Sequence, residues 1–148
     1  MKNKPAFKAI WLLALLLWGC GSGSDPNRPP QIRYGEDACD RCQMIINEGR
    51  YAAGYVLPNG QDRRFDDIGC MLKHHQQHQE PVANFWVVDY QGREWINAKN
   101  AVFVKSGEIT TPMASGIIAL ASRDNAEEIA AQTGEANILT FEELVSQK

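Results

Sequence analysis

The chain has 148 residues, and its 15 lysines and arginines stand against 18 aspartates and glutamates, giving a formal net charge of −3. This acidic balance argues against nucleic-acid binding, because phosphate groups carry charge of the same sign. Hydrophobic residues make up 44% of the chain, as in ordinary globular proteins, so one or two small cores can form.

The N-terminus has the pattern of an export signal. Lys2, Lys4 and Lys8 precede an uncharged apolar run that ends before Cys20. A basic start followed by such a run is typical of a signal peptide, and the run is too short to span a bilayer as a mature helix.

The four residues LWGC at 17–20 resemble the lipobox of bacterial lipoproteins, although Trp18 is bulky for its position. The sequence therefore predicts a signal peptide at 1–19 and a lipid on Cys20. Residues 20–33 then form the lipidated cysteine and a flexible tether rich in Gly, Ser and Pro. The alternative is an ordinary secretory signal with a free Cys20.

Removal of residues 1–19 takes away three lysines and no acidic residue, which leaves 12 basic against 18 acidic residues and a net charge of −6. Lipidation of Cys20 leaves three usable cysteines. In an oxidising compartment, an odd number means that one stays unpaired, pairs between molecules or holds a metal.

The first predicted unit spans residues 34–92 and has the order strand, strand, helix, strand. Turn residues PNG at 58–60 separate the first two strands, and Asp66 and Asp67 precede the helix. The segments are YAAGYVL (51–57), RRF (63–65), IGCMLKHHQQ (68–77) and FWVVDY (85–90).

The second predicted unit spans residues 93–148 and repeats this order after the separating segment QGREWIN. Asp124 or Asn125 is the expected helix cap, and Gly134 the expected stop. The segments are AVFVK (101–105), IIALASR (117–123), AEEIAAQTG (126–134) and NILTF (137–141). The sequence predicts an α+β fold of two tandem ββαβ units that pack together, since each is small.

Three sulfur side chains lie within six residues in DACDRCQMII at 37–46: Cys39, Cys42 and Met44. The two-residue spacing lets both thiols face one centre. In an extended backbone, Met44 would share a face with Cys42. Thiolates and thioethers are soft ligands that select Cu(I).

Other interpretations of these thiols remain open. One is a thiol-disulfide redox couple, although no helix follows the motif, and another is an inert Cys39–Cys42 disulfide. A third is a zinc knuckle, in which Cys70 and His74 from one helix face complete a Cys₃His set. A lone Cys70 in an amphipathic helix is otherwise typical of a small core residue.

Met113 is a further candidate ligand, because it lies among small residues in TTPMASG and outside any helical stripe. Met71 falls in the helix stripe and is predicted to be a core residue. His75 and His78 are predicted on a solvated helix face, where they can hold metal only weakly. No Ser/His/Asp order, phosphate loop or carboxylate pair indicates catalysis, so no enzyme is expected.

Four features together resemble the NosL family, a lipoprotein accessory factor of bacterial nitrous oxide reductase. They are the lipobox-like Cys20, the Cys39-x-x-Cys42-x-Met44 segment, FDDIGCM at 65–71 and TPMASG at 111–116. Their order covers nearly the whole mature chain.

This resemblance implies a chaperone that binds Cu(I) in the periplasm, anchored by its lipid to a bacterial membrane, with the outer membrane expected. The implied partners are nitrous oxide reductase and its ABC-type membrane maturation complex, with no nucleic acid and no small-molecule substrate. The implied fold is similar to the core of an organomercurial lyase. The implied metal ligands are Cys39, Cys42, Met44 and Met113, with Cys70, His74 and Asp67 as secondary candidates.

Overall fold

The computed structural model describes residues 25–147, so the predicted signal peptide and the predicted lipid site at Cys20 lie outside the described residues. The helices are α1 (Ile68–His78), α2 (Arg123–Gln132) and α3 (Phe141–Ser146). The strands are β1 (Ala53–Val56), β2 (Asp62–Phe65), β3 (Asn84–Val88), β4 (Trp95–Asn97), β5 (Val102–Lys105), β6 (Ile117–Leu120) and β7 (Asn137–Leu139). Single 3₁₀ turns at Gly49–Tyr51 and Ala98–Asn100 precede β1 and β5.

Two antiparallel sheets share one arrangement of three strands, to which the first sheet adds a fourth strand. The first sheet runs β2-β1-β3-β4, and the second runs β6-β5-β7. In each sheet the first strand of the unit lies in the middle, paired on one side with its hairpin partner and on the other with the strand that follows the helix. The predicted α+β fold of tandem ββαβ units is therefore confirmed.

The strand β4 is one of two elements, with α3, that the sequence did not predict. It pairs with β3 and extends the first sheet past residue 92, where the sequence placed the start of the second unit. Only three residues form β4, and they belong to the QGREWIN segment that the sequence predicts to separate the two units. So short a strand has too little alternation to be distinguished from a loop.

The two units share one core. Successive side chains of a strand point to opposite faces, and β5 and β6 are buried on both. Phe103 and Ala119 point into the core that contains Tyr55 and Val87 of the first sheet. Val104 and Ile118 on the opposite face form a smaller cluster with Ala126 of α2. The second sheet thus lies between its own helix and the first unit, as the predicted packing of the halves requires.

A backbone link joins the sheets beside this core. Asp89 forms a parallel bridge with Ala119, and the Tyr90 amide donates to the Ala119 carbonyl at 2.8 Å. The Asp89 carboxylate accepts the amide of Ala121 at 3.2 Å. These contacts fix β6 against the end of β3.

The helix ends follow side-chain chemistry. Asp67 caps α1, which ends at Gln79 in the left-handed conformation. The helix α2 begins at Arg123 after Ser122, earlier than the predicted cap at Asp124 or Asn125. The helix α3 was not predicted, although Thr140 and Glu143 form a capping box at its start.

Residues 25–33 cover the outer face of the first sheet. Pro30 lies against Gly54 of β1, where an added Cβ would be 2.7 Å from the proline ring. Arg28 pairs with Asp62 at 3.1 Å. The chain is thus already packed at the end of the predicted tether. Among residues 25–147, none of the helices has the length and apolar character needed to cross a membrane.

Candidate metal centre

Three thiols and one carboxylate converge at the start of α1. The sulfur atoms of Cys39, Cys42 and Cys70 and a carboxylate oxygen of Asp66 all lie within 4.8 Å of one another. Cys39 and Cys70 are 0% and 2% exposed, and Cys42 is half-buried. All three are free thiols. We call these four side chains the thiol cluster.

Residues 37–46, here called the thiol loop, carry the first two cysteines. The loop closes on itself, because the Cys39 amide donates to the Met44 carbonyl at 2.8 Å and the Gln43 amide to the Cys39 carbonyl at 3.0 Å. It is also fixed to β2. The Asp40 amide donates to the Arg64 carbonyl at 2.8 Å, and the Arg64 amide donates to the Asp40 carboxylate at 2.6 Å.

Two consecutive aspartates connect β2 to α1 and face different ways. Asp67 is extended, with φ −153° and ψ 138°, so neighbouring side chains point to opposite sides. Asp66 accepts the Cys42 thiol at 3.5 Å. Asp67 is fully buried on the other side and caps α1 by accepting the Gly69 amide at 2.7 Å.

The thiols do not ionise alike. A hydrogen bond from the Cys70 thiol, helped by backbone amides, lowers the pKa of Cys39 to about 6. The same hydrogen bond and burial raise the pKa of Cys70 far above that of a free thiol. Burial is the main cause that raises the pKa of Cys42 to about 11. Of the three thiols, Cys39 therefore loses its proton most readily, while Cys42 and Cys70 hold theirs more tightly.

The two candidate methionines are exposed. Met44 is 55% exposed and Met113 is 37% exposed, although most large apolar side chains are buried. Gln43, between Cys42 and Met44, has a positive φ of 63°. The backbone is therefore not extended there, and the expected alternation that would place Met44 beside Cys42 does not apply.

Met113 lies in a second loop that contacts the start of α1. We call residues 111–116 the methionine loop. The Met113 amide donates to the Asp67 carboxylate at 3.1 Å, and the Cys70 amide donates to the Asp67 carbonyl at 3.0 Å. Asp67 thus joins the backbone of Met113 to the backbone of Cys70, although Met113 and Cys70 lie in different units.

His74 is not a member of the thiol cluster. Its Nδ1 is 2.8 Å from the Tyr55 hydroxyl, and its ring stacks on His78 with the ring centroids 4.1 Å apart. Burial is the main cause that lowers the pKa of His74. The fourth ligand atom beside the three thiols is thus the Asp66 carboxylate and not the His74 imidazole that the zinc interpretation expected.

Of the remaining predictions along α1, some agree with the structure and one does not. Met71 is fully buried, as predicted for a core residue. His78 is exposed as predicted, but His75 is half-buried and packs edge-on against Phe85. Asp67, a predicted secondary ligand, has both carboxylate oxygens occupied by hydrogen bonds within the protein.

Sequence reasoning missed Asp66. Its signal was present, since Asp66 lies directly before the predicted helix and four residues before Cys70. Asp66 and Asp67 are the same residue type and differ only in the direction of their side chains. That direction depends on which residue is the first of the helix.

Comparisons with known proteins identify the family and the fold. The family model described as NosL matches residues 31–148. Among solved structures, the crystal structure of the copper chaperone NosL from Shewanella denitrificans superimposes with a TM-score of 0.69 at 19% sequence identity. The match covers 84% of this chain and 100% of that chain, and it shows a shared fold. Among curated proteins, none matches the sequence significantly.

Proposed function

Because the chain belongs to the NosL family, we propose that it is a copper chaperone that binds Cu(I) in the thiol cluster. The observation that carries the proposal is the convergence of three thiols from two separate segments of the chain. The similar structure from Shewanella denitrificans is described as a copper chaperone, which supports the same cargo here.

The chemistry of the ligands supports a soft monovalent ion. Thiolates bind Cu(I) strongly, and thioethers bind it without losing a proton. Cys39 supplies a thiolate at neutral pH, since its pKa is about 6. Binding of the ion by Cys42 and Cys70 releases their protons, so affinity for the metal rises with pH.

Exposure of the methionines supports transfer in place of storage. A carrier must release its cargo to an acceptor, and an incoming ligand is accepted more easily where the site has low-coordinate, accessible ligands. Cys42 is half-buried, so an acceptor can reach the thiol cluster through it, and the exposed Met44 and Met113 are free to contact an acceptor.

A structural zinc site is the second candidate function. Three thiols and one carboxylate can make the four-coordinate, closed arrangement that zinc prefers. Tetrahedral ligands at zinc–sulfur bond length lie about 3.8 Å apart, so the widest separation in this cluster, at most 4.8 Å, would contract by no more than about 1 Å. The zinc interpretation gives no role to Met44 or Met113.

A thiol-disulfide enzyme fits the site less well. Its attacking thiol must be both ionised and accessible. Here the thiol with the lowered pKa, Cys39, is fully buried, while burial raises the pKa of the accessible Cys42. The two requirements fall on different residues.

Anaerobic competition titrations test the copper assignment. The reduced protein is titrated with Cu(I) and separately with Zn(II), each against a chelator of known affinity. We expect Met44→Ala and Met113→Ala to weaken only Cu(I) binding, and Asp66→Asn to weaken chiefly Zn(II) binding, since carboxylate is a poor ligand for Cu(I). Tighter zinc binding, together with Cu(I) affinity that neither methionine change alters, would favour the structural zinc site.

We further propose that the copper is delivered to nitrous oxide reductase, through its ABC-type membrane maturation complex, by a periplasmic chain anchored through Cys20 to the outer membrane. Support comes from the family and from the lipobox-like sequence. In cells that lack this gene, we expect the reductase to accumulate with depleted copper. A fully metallated reductase in those cells would contradict this delivery role.

A further inference from the structure

We propose that Asp67 is a positioning residue that fixes the methionine loop, and with it Met113, against the turn of α1 that carries Cys70, and that it is not itself a metal ligand. The proposal rests on the proposed copper function, because it assigns Met113 a part in binding Cu(I). It concerns a residue that links the two units at the site.

Both carboxylate oxygens of Asp67 are engaged by the protein. Oδ1 accepts the Gly69 amide at 2.7 Å and so caps α1. Oδ2 accepts the Thr111 hydroxyl at 2.6 Å and the Met113 amide at 3.1 Å. The side chain is fully buried. Three hydrogen bonds thus use most of the acceptor capacity of this buried carboxylate, which disfavours it as a metal ligand.

Hydrogen bonds within the methionine loop fix its backbone where the loop contacts Asp67. The Thr111 hydroxyl, which donates to Asp67, also accepts the amides of Ser115 and Gly116 at 3.0 and 3.3 Å. Ala114, inside the same turn, has a positive φ of 54°. This combination fixes the backbone of the loop around a single hydroxyl group.

Close packing brings the loop against α1 at the same place. A Cβ built on Gly69 would lie 2.5 Å from the Cβ of Ser115. The helix and the loop can touch here only because Gly69 has no side chain. The absence of that side chain brings the backbone of the methionine loop to the helix turn that carries Cys70.

The backbone of Asp67 completes the link to the thiols. Its carbonyl accepts the Cys70 amide at 3.0 Å, while its neighbour Asp66 accepts the Cys42 thiol at 3.5 Å. A shift of Asp67 would therefore change the position of Met113 relative to two thiols at once. Groups that orient metal ligands commonly affect metal affinity by about 10- to 100-fold.

Substitution of the carboxylate by an amide tests this role. In Asp67→Asn, one oxygen can still cap α1, but the NH₂ group then faces the Met113 amide, and two donors repel each other. Thr111→Val removes the donated hydroxyl and keeps the carboxylate, which provides an independent variant if Asp67→Asn folds poorly. Asp89→Asn is the matched control, because Asp89 is also buried and accepts backbone amides, but at the junction of the sheets.

The first measurement is a double-mutant cycle for Cu(I) affinity. We expect Asp67→Asn and Met113→Ala each to weaken Cu(I) binding by about tenfold or more, and the double variant to be no weaker than Met113→Ala alone. Zn(II) affinity should change by less than about threefold in Asp67→Asn, since the thiols remain in place. Equal additional weakening of Cu(I) binding in the Met113→Ala background would overturn the positioning role, as would unchanged affinity in Asp67→Asn.

The second measurement needs no metal. Hydrogen exchange of the Met113 amide should accelerate by about tenfold or more in Asp67→Asn and Thr111→Val, and stay unchanged in Asp89→Asn. Unchanged exchange in the first two variants would overturn the proposal even if copper binds. Accelerated exchange in a protein that shows no preference for Cu(I) would instead refute the copper function and leave Asp67 as the residue that holds the loop.

Discussion

Tyr55 brings a polar hydroxyl into the core, and a chain of side chains satisfies it. The hydroxyl donates its proton to Glu80 at 2.7 Å and lies 2.8 Å from His74 Nδ1. Because that proton is already used, the hydroxyl oxygen accepts a hydrogen bond from the Nδ1–H of His74. Arg63 binds Glu80 through Nε at 2.9 Å. His74 is therefore committed to a structural network, which explains why it does not join the thiol cluster, although Cys70 is only four residues earlier.

Glu80 gives the network a pH dependence. Hydrogen bonds from Arg63 are the main cause that lowers the pKa of Glu80 from about 4.5 to about 2. The folded state thus holds this proton less tightly than the unfolded state, so the stabilisation is complete above pH 4.5 and is lost as the pH falls towards 2.

We expect Glu80→Gln to lower the free energy of unfolding at pH 7 by about 2 kcal/mol, because it removes charged hydrogen bonds. The difference from the wild type should shrink between pH 4.5 and pH 2. Urea denaturation across this range measures both effects. Glu127→Gln is the control, since its pair with Arg123 is solvent-exposed and worth only about 0.5 kcal/mol or less. A constant difference at every pH would contradict the assignment.

For single residues, the sequence could identify the residue types of the site but not the direction in which each side chain points. Cys39, Cys42 and Cys70 were all candidates, and the structure brings them together. Asp66 and Asp67 could not be told apart, because a helix boundary decides which one faces the thiols. The bond between His74 and Tyr55 joins residues 19 apart in sequence, and no local pattern encodes it.

The methionine loop is the element with the most specific backbone requirements. Gly116 has a φ of +67°, and a Cβ added there would lie 2.1 Å from the Ser106 carbonyl oxygen. Because both the conformation and the space exclude a side chain, this glycine determines how the loop returns to β6.

We expect Gly116→Ala to destabilise the protein by about 2 kcal/mol or more, through backbone strain and the clash with Ser106. Gly107→Ala is the matched control in the same connection between strands, because nothing lies within 4 Å of the added Cβ. Thermal unfolding of both variants measures the difference. Equal melting temperatures would show that the loop relaxes without cost.

The elements themselves were largely predictable, because period-2 and helical patterns extend over four or more residues in most of them. The misses were short. The strand β4 has three residues and α3 has six, and α3 exists because Phe141 and Leu144 pack into the shared core. Tertiary burial of two side chains, more than local propensity, stabilises so short a helix.

The molecule is two similar units built around a common core. Phe103 belongs to the second unit but is fully buried in the cluster that contains the first sheet. The sequence predicted the repeat and its packing, since each unit is too small to stand alone. It could not predict that Asp67 of the first unit would bind the methionine loop of the second, because this depends on how the two sheets dock.

We expect Phe103→Ala to cost about 3 to 5 kcal/mol and to destabilise both units equally. In a variant that lacks residues 1–19, and with them Trp11 and Trp18, Trp86 and Trp95 of the first sheet report by fluorescence on the first unit, while circular dichroism reports on all helices. The two probes should give one coincident, shifted transition. A fluorescence midpoint that stays at the wild-type value would show that the units unfold independently. Val145→Ala, at a half-exposed position, should leave both signals unchanged.

The most direct test of the copper assignment is X-ray absorption spectroscopy at the copper and zinc edges, on protein isolated without added metal. It reports the element, its oxidation state and its neighbouring atoms together. We expect monovalent copper with two or three sulfur neighbours and no oxygen, and fewer sulfur neighbours after Cys42→Ser. Zinc bound by three sulfur atoms and one oxygen would contradict the copper chaperone and identify the thiol cluster as a structural site.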